Sequence, residues 1–327
     1  MKNTKDLIME ALLKNSDKYI SGESLSDEIG VSRASVWKGI NSLKKEGYVI
    51  ESKSGSGYKL IKSEEERGFS TYEFIHNLNT KYLAQSIIFF QTIDSTNTHA
   101  NKIAEKSEEG TVVLANEQTN GKGRTGKKWI SDENVGVYFS MILKPEIPLS
   151  KASFLTQIAG ASLCLALNKN DIPAKIKWPN DIIVDGKKIS GILTEMNAEI
   201  DRINFIVVGI GINLYKTSFD ELPNIATSIE NEGYKIGREK LLKDFFEIFE
   251  KLYSKFKKNS IVETRKTLRD YSAVLGKEIY LINNGEKEKV FAENIDENGN
   301  LIVRDQMGII RTIFSGEISI RGLNGYI

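Results

Sequence analysis

The spacing of apolar and polar residues in the first 60 positions predicts three short helices followed by a strand pair. Apolar positions recur at helical intervals from about Thr4 to Lys14. The next segment ends at Gly30, which suits the left-handed end of a helix, and Ser32 is placed to cap the helix after it. Two short strands then flank the sequence SGSG. This order of elements is typical of a winged helix-turn-helix domain.

The predicted third helix has one apolar and one basic face. Val36, Ile40 and Leu43 follow one another at intervals of four and three residues, so we expect them in a core. The opposite face is polar, and lysines flank the glycine tip of the strand pair. We predict that these surfaces contact DNA through Arg33, Ser35, Lys38, Asn41, Lys45, Lys53 and Lys59.

The net charge of this segment is only slightly positive. Residues 1–62 contain eleven Lys or Arg and eight Asp or Glu, so the excess favours DNA binding only where it clusters on one surface. A helical protein-interaction domain with a solvated basic face is the alternative. The short Gly-Val-Ser turn between the second and third helices favours DNA binding.

A different pattern begins after the charged run KSEEERG, where strand-like and helix-like segments alternate. Strands are predicted within SIIFFQTI, GTVVLANEQ, VGVYFSMIL, AKIKWPNDIIVDGKKISGILTEMN and NFIVVGIGINL. Helical patterns cover Lys151–Asn168 and Arg238–Lys258. From about Ser272 onward, short strands are separated by the turn signals NNGE, ENGN and QMG.

These patterns predict a mixed α+β protein in four parts. A winged helix-turn-helix domain covers residues 1–62 and a linker covers 63–80. A larger domain with a mixed sheet covers 81–271, and a small SH3-like β-barrel covers 272–327.

Composition narrows the class of protein. The 327 residues are 40% hydrophobic and 27% charged with a net charge of +1, which is ordinary for a soluble protein. The start lacks a signal-peptide core and no apolar run has bilayer length, so we expect a cytoplasmic location. Cys164 lies in an apolar run and is expected in the core. His76 and His99 stand apart, so we expect structural roles for them and no zinc site or histidine-based triad.

The stretch Gly121–Trp129, GKGRTGKKW, fits both the G-x-G-x-x-G and the G-x-x-x-x-G-K nucleotide-binding patterns. Both patterns require a helix directly after the glycines, but here a turn and a predicted strand follow, which excludes both. What remains is a loop with four cations, at positions 122, 124, 127 and 128. We expect it to be mobile when empty and to order around an anion. A solvated basic hairpin is the alternative.

Six motifs follow one another along nearly the whole chain. They are Asp94–Asn97 (DSTN), Glu117–Trp129 (EQTNGKGRTGKKW), Lys177–Asp181 (KWPND), Lys187–Leu193 (KKISGIL), Gly209–Leu214 (GIGINL) and Gly316–Arg321 (GEISIR). This set resembles the bifunctional biotin protein ligases that double as repressors of biotin synthesis genes. The family loop usually begins Gly-Arg-Gly-Arg, and Lys122 stands here at the first arginine, which keeps the charge without the planar fork.

The resemblance implies a two-step reaction. Biotin and ATP give biotinyl-5′-AMP and pyrophosphate, and biotin then passes to one lysine of a carboxylase carrier domain. The catalytic residues implied are Arg124, Lys188 and Asp181. The implied biotin-binding residues are Ser95, Thr96, Gln118, Gly121, Lys122, Arg124, Lys188, Gly191, Gly209 and Gly211. Those implied for ATP or the adenylate are Arg124, Trp129, Lys177, Asn180, Lys188 and Asn213.

The resemblance also implies partners and regulation. Magnesium is expected to bind through the ATP phosphates, without a dedicated protein site. Biotinyl-AMP is expected to act as corepressor by promoting homodimerisation and binding to operator DNA. No membrane partner is expected.

Two other classes of protein share part of this pattern. A lipoate-type acyl protein ligase would use the same adenylation chemistry, but the KWPND and G-x-G-x-N motifs and the terminal barrel favour biotin. A ligand-sensing repressor without transferase activity would bind biotinyl-AMP only. The pair Lys188 and Asp181 argues against that class.

Overall fold

A computed structural model of the chain describes residues 4–15, 18–45, 49–61, 69, 71–219, 222, 224–283, 285–314, 319–323 and 325–327. The charged run at 62–68, residues 316–318 of the last motif and the side chain of Lys45 lie outside this description. The chain divides into two units, Met1–His76 and Asn77–Ile327. The predicted boundaries of the linker and of the terminal domain remain predictions.

The first unit contains four helices and one strand pair among its described residues. These are α1 (Thr4–Lys14), α2 (Gly22–Ile29), α3 (Arg33–Lys45), β1 (Ile50–Lys53), β2 (Gly57–Leu60) and α4 (Thr71–His76). Gly30 ends α2 with a φ of 73°, as predicted. The Ser35 amide donates to Ser32 Oγ at 3.2 Å, so Ser32 caps α3. Val36, Ile40 and Leu43 are buried, which confirms the predicted apolar face.

A backbone bridge joins the strand pair to the segment between α1 and α2. The backbones of Ile20 and Tyr58 exchange two hydrogen bonds, of 2.9 and 2.8 Å. Gly57, with a φ of 105°, sits against this bridge, and a Cβ there would lie 2.1 Å from the Ile20 carbonyl oxygen. Only glycine fits this position, so the winged hairpin depends on it.

The second unit is built on a seven-stranded mixed sheet with the order β3-β4-β5-β9-β8-β7-β6. Its strands are β3 (Ile87–Ile93), β4 (Val112–Gln118), β5 (Gly136–Leu143), β6 (Lys175–Lys177), β7 (Asp181–Val184), β8 (Lys187–Ala198) and β9 (Ile203–Asn213). The pair β3–β4 is parallel and the other pairs are antiparallel. All five predicted strand segments lie in this sheet.

Helices cover both faces of the sheet. They are α5 (Thr96–Ile103), α6 (Phe154–Asn168), α7 (Arg238–Lys257) and α8 (Val262–Asp270). On one face, Phe205 and Val207 pack against α5. On the other, the ring of Phe139 lies 5.3 Å from that of Phe245 in α7. Neighbouring strand residues point to opposite faces, so Tyr138 and Ser140 face the α5 side.

The core of this unit confirms the prediction for Cys164. Cys164 is fully buried in α6, and burial raises the pKa of its thiol to about 12. Trp178 is also buried and donates its indole N–H to the Gly299 carbonyl at 2.8 Å. His99 packs against the ring of Phe90, with 4.8 Å between ring centroids.

The last part of the chain is a five-stranded antiparallel sheet with the order β13-β12-β11-β10-β14. Its strands are β10 (Glu278–Asn283), β11 (Glu286–Ile295), β12 (Leu301–Arg304), β13 (Ile310–Ile313) and β14 (Ser319–Gly322). Gly285, Gly299 and Gly308 have positive φ at the turns that the sequence predicts. Closure of this sheet into an SH3-like barrel remains a prediction.

Candidate functional site

One row of cross-strand partners builds the floor of the site. Lys177 of β6 lies opposite Asp181 of β7, which lies opposite Gly191 of β8. Gly191 lies opposite Gly211 of β9, and Gly211 opposite Tyr138 of β5. Directly opposed residues of antiparallel strands share a face of the sheet, so the register places residues from five strands on the α5 side.

A cleft opens over this row. Its lining residues are Ser95, Thr96, Asn97, Gln118, Lys122, Gly123, Arg124, Trp129, Asn180, Lys188, Gly191, Ile192, Leu193, Gly209, Ile210 and Gly211. Five separate motifs of the sequence contribute to this lining. The cleft is therefore the point where most of the predicted biotin and adenylate residues converge.

A hydrogen-bond network at the start of α5 forms one end of the cleft. Gln118 Oε1 accepts from the Thr96 amide at 2.8 Å and from Thr96 Oγ1 at 3.0 Å. Gln118 Nε2 donates to Ser131 Oγ at 2.8 Å. Because both ends of the Gln118 amide are engaged, its orientation is fixed. Ser95 caps α5, with its Oγ 3.4 Å from the Thr98 amide nitrogen.

Asn97 and Glu195 form a second polar group that the sequence analysis missed. Asn97 Nδ2 donates to Glu195 Oε2 at 2.7 Å, and Asn97 Oδ1 lies 2.6 Å from Ser140 Oγ. A Cβ at Gly209 would lie 1.8 Å from Asn97 Oδ1, so this glycine is required for Asn97 to pack against β9. The position of Asn97 in the DSTN motif was the sequence signal that could have predicted this polar group.

The glycine-rich loop folds over the cleft as a short 3₁₀ turn, Arg124–Gly126. β5 follows it, so the helix that phosphate-binding glycine motifs require is not there, as the sequence predicts. The Trp129 amide donates to the Gly121 carbonyl at 2.9 Å, closing the loop at its base. A Cβ on Gly121 would lie 2.4 Å from the Trp129 carbonyl oxygen. Gly121 therefore shapes the loop and does not line the cleft.

The indole of Trp129 lies on the glycine floor of the cleft. A Cβ on Gly211 would be 2.3 Å from Trp129 Nε1, and one on Gly191 would be 3.1 Å from its ring. Among the described residues, none accepts a hydrogen bond from Trp129 Nε1. Lys188 Nζ lies 5.3 Å from the centre of the ring. Adenine stacking by Trp129 remains a prediction.

Arg124 extends from the loop toward the KWPND motif. Its guanidinium donates to Asn180 Oδ1 at 2.8 Å, and Asn180 Nδ2 donates to the Ile192 carbonyl at 3.0 Å. Burial lowers the pKa of Arg124 and the charge of Asp181 opposes that change. Arginine stays protonated through such a shift, so the cleft contains a partly desolvated positive charge.

Asp181 is the centre of a charged cluster beside the cleft. Its Oδ1 lies 2.5 Å from Lys188 Nζ, and its Oδ2 accepts a hydrogen bond from the Tyr326 hydroxyl. Burial alone would raise the pKa of Asp181, but Lys188, Tyr326 and Lys177 hold it below its ordinary value. Asp181 is therefore ionised at neutral pH.

Lys177 lies deeper in this cluster than the sequence suggested. It is 2% exposed, and its Nζ lies 3.1 Å from the centre of the Tyr326 ring. Within the described part of the chain, Lys177 Nζ has no hydrogen-bond partner. Burial lowers its pKa to about 6, against the opposing charge of Asp181.

Two of the predicted adenylate residues thus stand outside the cleft lining, Lys177 and Asn213. Asn213 is buried and its Nδ2 donates to the Thr227 carbonyl at 3.0 Å, so it ties β9 to a neighbouring loop. The sequence analysis missed Tyr326 in the charged cluster and Ser131 in the Gln118 network. Tyr326 carries no motif and is far from Asp181 along the chain.

The predicted DNA-contacting residues lie in the first unit. Lys38 is exposed on α3, and Arg33 forms an ion pair with Glu23 of α2. Asn41 is half-buried, and Ser35 lies within the α3 cap, with its Oγ 2.9 Å from Ser32 Oγ. Among the predicted contacts described on α3, Arg33 and Lys38 are thus the exposed ones.

The hairpin adds further cations to this unit. Lys53 is exposed, with its Nζ 5.6 Å from the centre of the Tyr19 ring, and Lys59 is half-buried. Lys44 of α3, which was not predicted as a DNA contact, donates to Ser52 Oγ of the hairpin at 2.9 Å.

The sequence analysis also did not single out Trp37, a surface aromatic residue of α3 that is 59% exposed. Its place between the core residue Val36 and the exposed Lys38 was the available signal.

Two family models match these two parts of the chain. Residues 89–213 match the Biotin/lipoate A/B protein ligase family, and residues 4–59 match an HTH domain. The fold and the site therefore define a ligase of the biotin and lipoate class joined to a helix-turn-helix domain.

Relatives of similar length narrow this class. The Bifunctional ligase/repressor BirA of Bacillus spizizenii is 37% identical over 97% of this chain and 98% of its own. The Escherichia coli (strain K12) protein of the same name is 27% identical over 98% of each chain. The biotin protein ligase of Aquifex aeolicus in complex with biotin and ATP matches 73% of this chain and 99% of its own, with 31% identity and a TM-score of 0.63. This chain belongs to the family of bifunctional biotin protein ligase/repressors.

None of the helices in the described ranges combines the length and the apolar composition needed to cross a membrane.

Proposed function

We propose that the cleft joins biotin and ATP as biotinyl-5′-AMP and that the same site then passes the biotinyl group to a lysine of a carboxylase carrier domain. The observation that carries this proposal is the meeting of Arg124 and Lys188 in one cleft, with the ionised Asp181 against Lys188. The two cations suit the first step, in which two anions meet, and the carboxylate suits the second step, in which an amine attacks.

The first step brings two anions together. A carboxylate oxygen of biotin attacks the α-phosphorus of ATP, and the bond to the β-phosphate breaks, so pyrophosphate leaves with its electron pair. Arg124 and Lys188 supply the positive charge that this approach requires. The loop holds Arg124, and strand β8 holds Lys188, so the two cations approach the reacting centre from different elements.

The biotin head fits the polar end of the cleft. Its ureido group needs donors and acceptors around a closely fitting pocket. Ser95, Thr96 and Gln118 provide them, and the fixed Gln118 amide orients the set. Gly209 and Gly211 form the adjoining wall, where a Cβ would collide with Asn97 or Trp129.

ATP occupies the other end in this proposal, where Asn180 and Trp129 lie. Across the described residues, no group of three or more His, Cys, Asp or Glu is placed to hold a metal ion. We expect magnesium to enter with the ATP phosphates, which need no dedicated protein site.

In the second step the acceptor lysine attacks the biotinyl carbonyl carbon, and AMP leaves with the electrons of the acyl–phosphate bond. Lysine attacks only as the neutral amine, so the amine must be oriented and lose a proton. Asp181 is ionised and beside the cleft, and we assign it the orientation of the amine and help in accepting its proton.

Competition between the two acids tests the choice of substrate. Pyrophosphate release measures adenylation with biotin alone, with lipoate alone and with both acids present. We expect the rate to saturate with biotin at concentrations where lipoate is neither adenylated nor inhibitory. Preferential adenylation of lipoate would assign the chain to the lipoate branch.

We further propose that biotinyl-AMP promotes homodimerisation and operator binding. One winged domain makes few contacts, whereas two related by symmetry read a palindrome. Ordering of the glycine-rich loop by the adenylate removes flexibility that a dimer surface near the site would otherwise have to restrict.

We expect Lys38→Ala to weaken operator binding about tenfold and to leave ligation unchanged, because Lys38 is exposed on the helix assigned to the groove. A DNA shift assay at fixed salt with biotinyl-AMP measures the first effect. Lys14→Ala, at an exposed lysine at the end of α1, is the control. Operator affinity equal to that of the parent would remove Lys38 from the interface.

We expect the loop from 119 to 128 to be cleaved by trypsin without ligand and to be protected by biotinyl-AMP. Its lysines and arginine repel one another until the phosphate neutralises them. Cleavage at Arg202, which is exposed in the turn between β8 and β9, is the internal control and should not change. Equal cleavage rates after Lys122 and Arg124 with and without biotinyl-AMP would contradict the ordering.

A further inference from the structure

Tyr326 belongs to the last described segment of the chain but packs beneath the ligase site. It is 6% exposed and forms a small apolar cluster with Ile183 and Ala273. Ile225 and Ile327 pack against this cluster. The phenol is therefore held in one place by contacts that do not involve the charged residues of the site.

The hydroxyl and the ring of Tyr326 contact different members of the charged cluster. The hydroxyl donates a hydrogen bond to Asp181 Oδ2, while Lys188 Nζ lies 2.5 Å from Oδ1. Each carboxylate oxygen thus has its own partner, on opposite sides of the group. A carboxylate with one partner can turn about its Cβ–Cγ bond, whereas one with two such partners is fixed in its plane.

The face of the Tyr326 ring contacts Lys177, the cross-strand neighbour of Asp181. Lys177 Nζ lies 3.1 Å from the ring centre, so the amine packs against the face of the ring. The guanidinium of Arg321 lies 4.8 Å from the same ring centre. One aromatic side chain therefore contacts the carboxylate and two of the basic side chains around it.

We propose that Tyr326 is a positioning residue for biotin transfer, which fixes the Asp181 carboxylate for the incoming lysine amine and holds Lys177 beside it. This inference rests on the proposed role of Asp181 in the second step. A positioning role can be distinguished from a packing defect. Loss of the hydroxyl slows transfer more than adenylation, whereas general damage to packing slows both steps.

The hydrogen bond also changes the acidity of Asp181. Tyr326, together with Lys188 and Lys177, lowers the pKa of Asp181 against the effect of burial. Arg321 and Lys127 add positive charge near Lys177, and Arg124 adds it near Asp181. Removing the hydroxyl raises the Asp181 pKa, so the ionised form is lost at a higher pH as the solution is acidified.

Single-turnover transfer from preformed biotinyl-AMP to a carrier domain tests the proposal with Tyr326→Phe, which keeps the ring and removes the hydroxyl. We expect transfer to slow about tenfold, as for loss of a hydrogen bond to a charged group, with adenylation within about twofold of the parent. The ratio of variant to parent transfer rates should fall as the pH is lowered. The titration of the acceptor lysine is common to both proteins and cancels in this ratio.

Tyr326→Leu and Tyr280→Phe complete the experiment. The leucine variant also removes the ring and is expected to transfer more slowly than the phenylalanine variant. Tyr280 lies half-buried in β10, and its phenylalanine variant is expected to behave like the parent. Parent-like transfer by Tyr326→Phe, or an equal loss in both steps with a ratio independent of pH, would overturn the proposal. If the parent itself formed no biotinyl-AMP, or formed it and transferred none, the proposed function would fail, and this inference with it.

Discussion

Replacing Arg124 with alanine is expected to lower the rate of biotinyl-AMP formation by about 10²–10³-fold, the cost of losing one well-placed charge donor at a reacting centre. The guanidinium lies in the cleft, partly desolvated, and is held by Asn180 at 2.8 Å. In this position it can offset the repulsion between the biotin carboxylate and the α-phosphate. Arg124→Lys keeps the charge but loses the planar fork, so we expect an intermediate rate.

Labelled biotin and quantification of the adenylate on the enzyme measure this effect directly. Arg202→Ala removes an exposed arginine in the turn between β8 and β9 and is expected to leave the rate unchanged. An Arg124→Ala enzyme that forms and retains biotinyl-AMP at the parent rate would show that the positive charge for the first step comes from elsewhere.

Replacing Asp181 with asparagine is expected to slow transfer from preformed biotinyl-AMP by about 10²-fold, because a positioned carboxylate that orients or deprotonates the attacking amine is lost. Asparagine still accepts a hydrogen bond from Tyr326. Lys188 keeps its positive charge, which the first step uses, so adenylation should change less than transfer does. The free energy of unfolding should fall as well, since a half-buried partner is left unpaired.

Asp185→Asn is the matched control for this prediction. Asp185 is exposed in the turn between β7 and β8 at a φ of 47°, a conformation that asparagine tolerates. Its transfer rate should equal that of the parent. Equal slowing of both steps in Asp181→Asn would place the residue in general support of the site and not in transfer.

The elements of the fold were largely predictable because most have strong periodicity. The spacing of Val36, Ile40 and Leu43 and the amphipathic pattern of α7 both reflect one buried face of a helix. The sequence analysis missed α8, where Leu268 is the only strongly apolar side chain that is buried among its residues. A polar helix of this length gives too weak a pattern to recognise.

The site was predictable where its residues lie in motifs and not where the register of the sheet creates it. The motif residues Arg124, Lys188 and Gly191 do line the cleft. The row that joins Lys177, Asp181 and Gly191 depends on strand pairing, which local sequence does not specify.

Long-range contacts explain the remaining differences. Tyr326 reaches Asp181 across 145 positions of sequence, and Asn213 makes its contact with a loop and not with the cleft. Neither contact leaves a local signal. The glycines of β9 were read as ligand walls, and the structure adds that they also make room for Asn97 and Trp129.

The most direct test of this account is to incubate the full chain with ATP, magnesium, labelled biotin and the carrier domain of a biotin-dependent carboxylase, and to measure label on the carrier. We expect label on a single lysine of the carrier, dependent on ATP and lost when that lysine is replaced by arginine. Stable biotinyl-AMP on the enzyme with an unlabelled carrier would contradict it, because the chain would then sense the adenylate without transferring it.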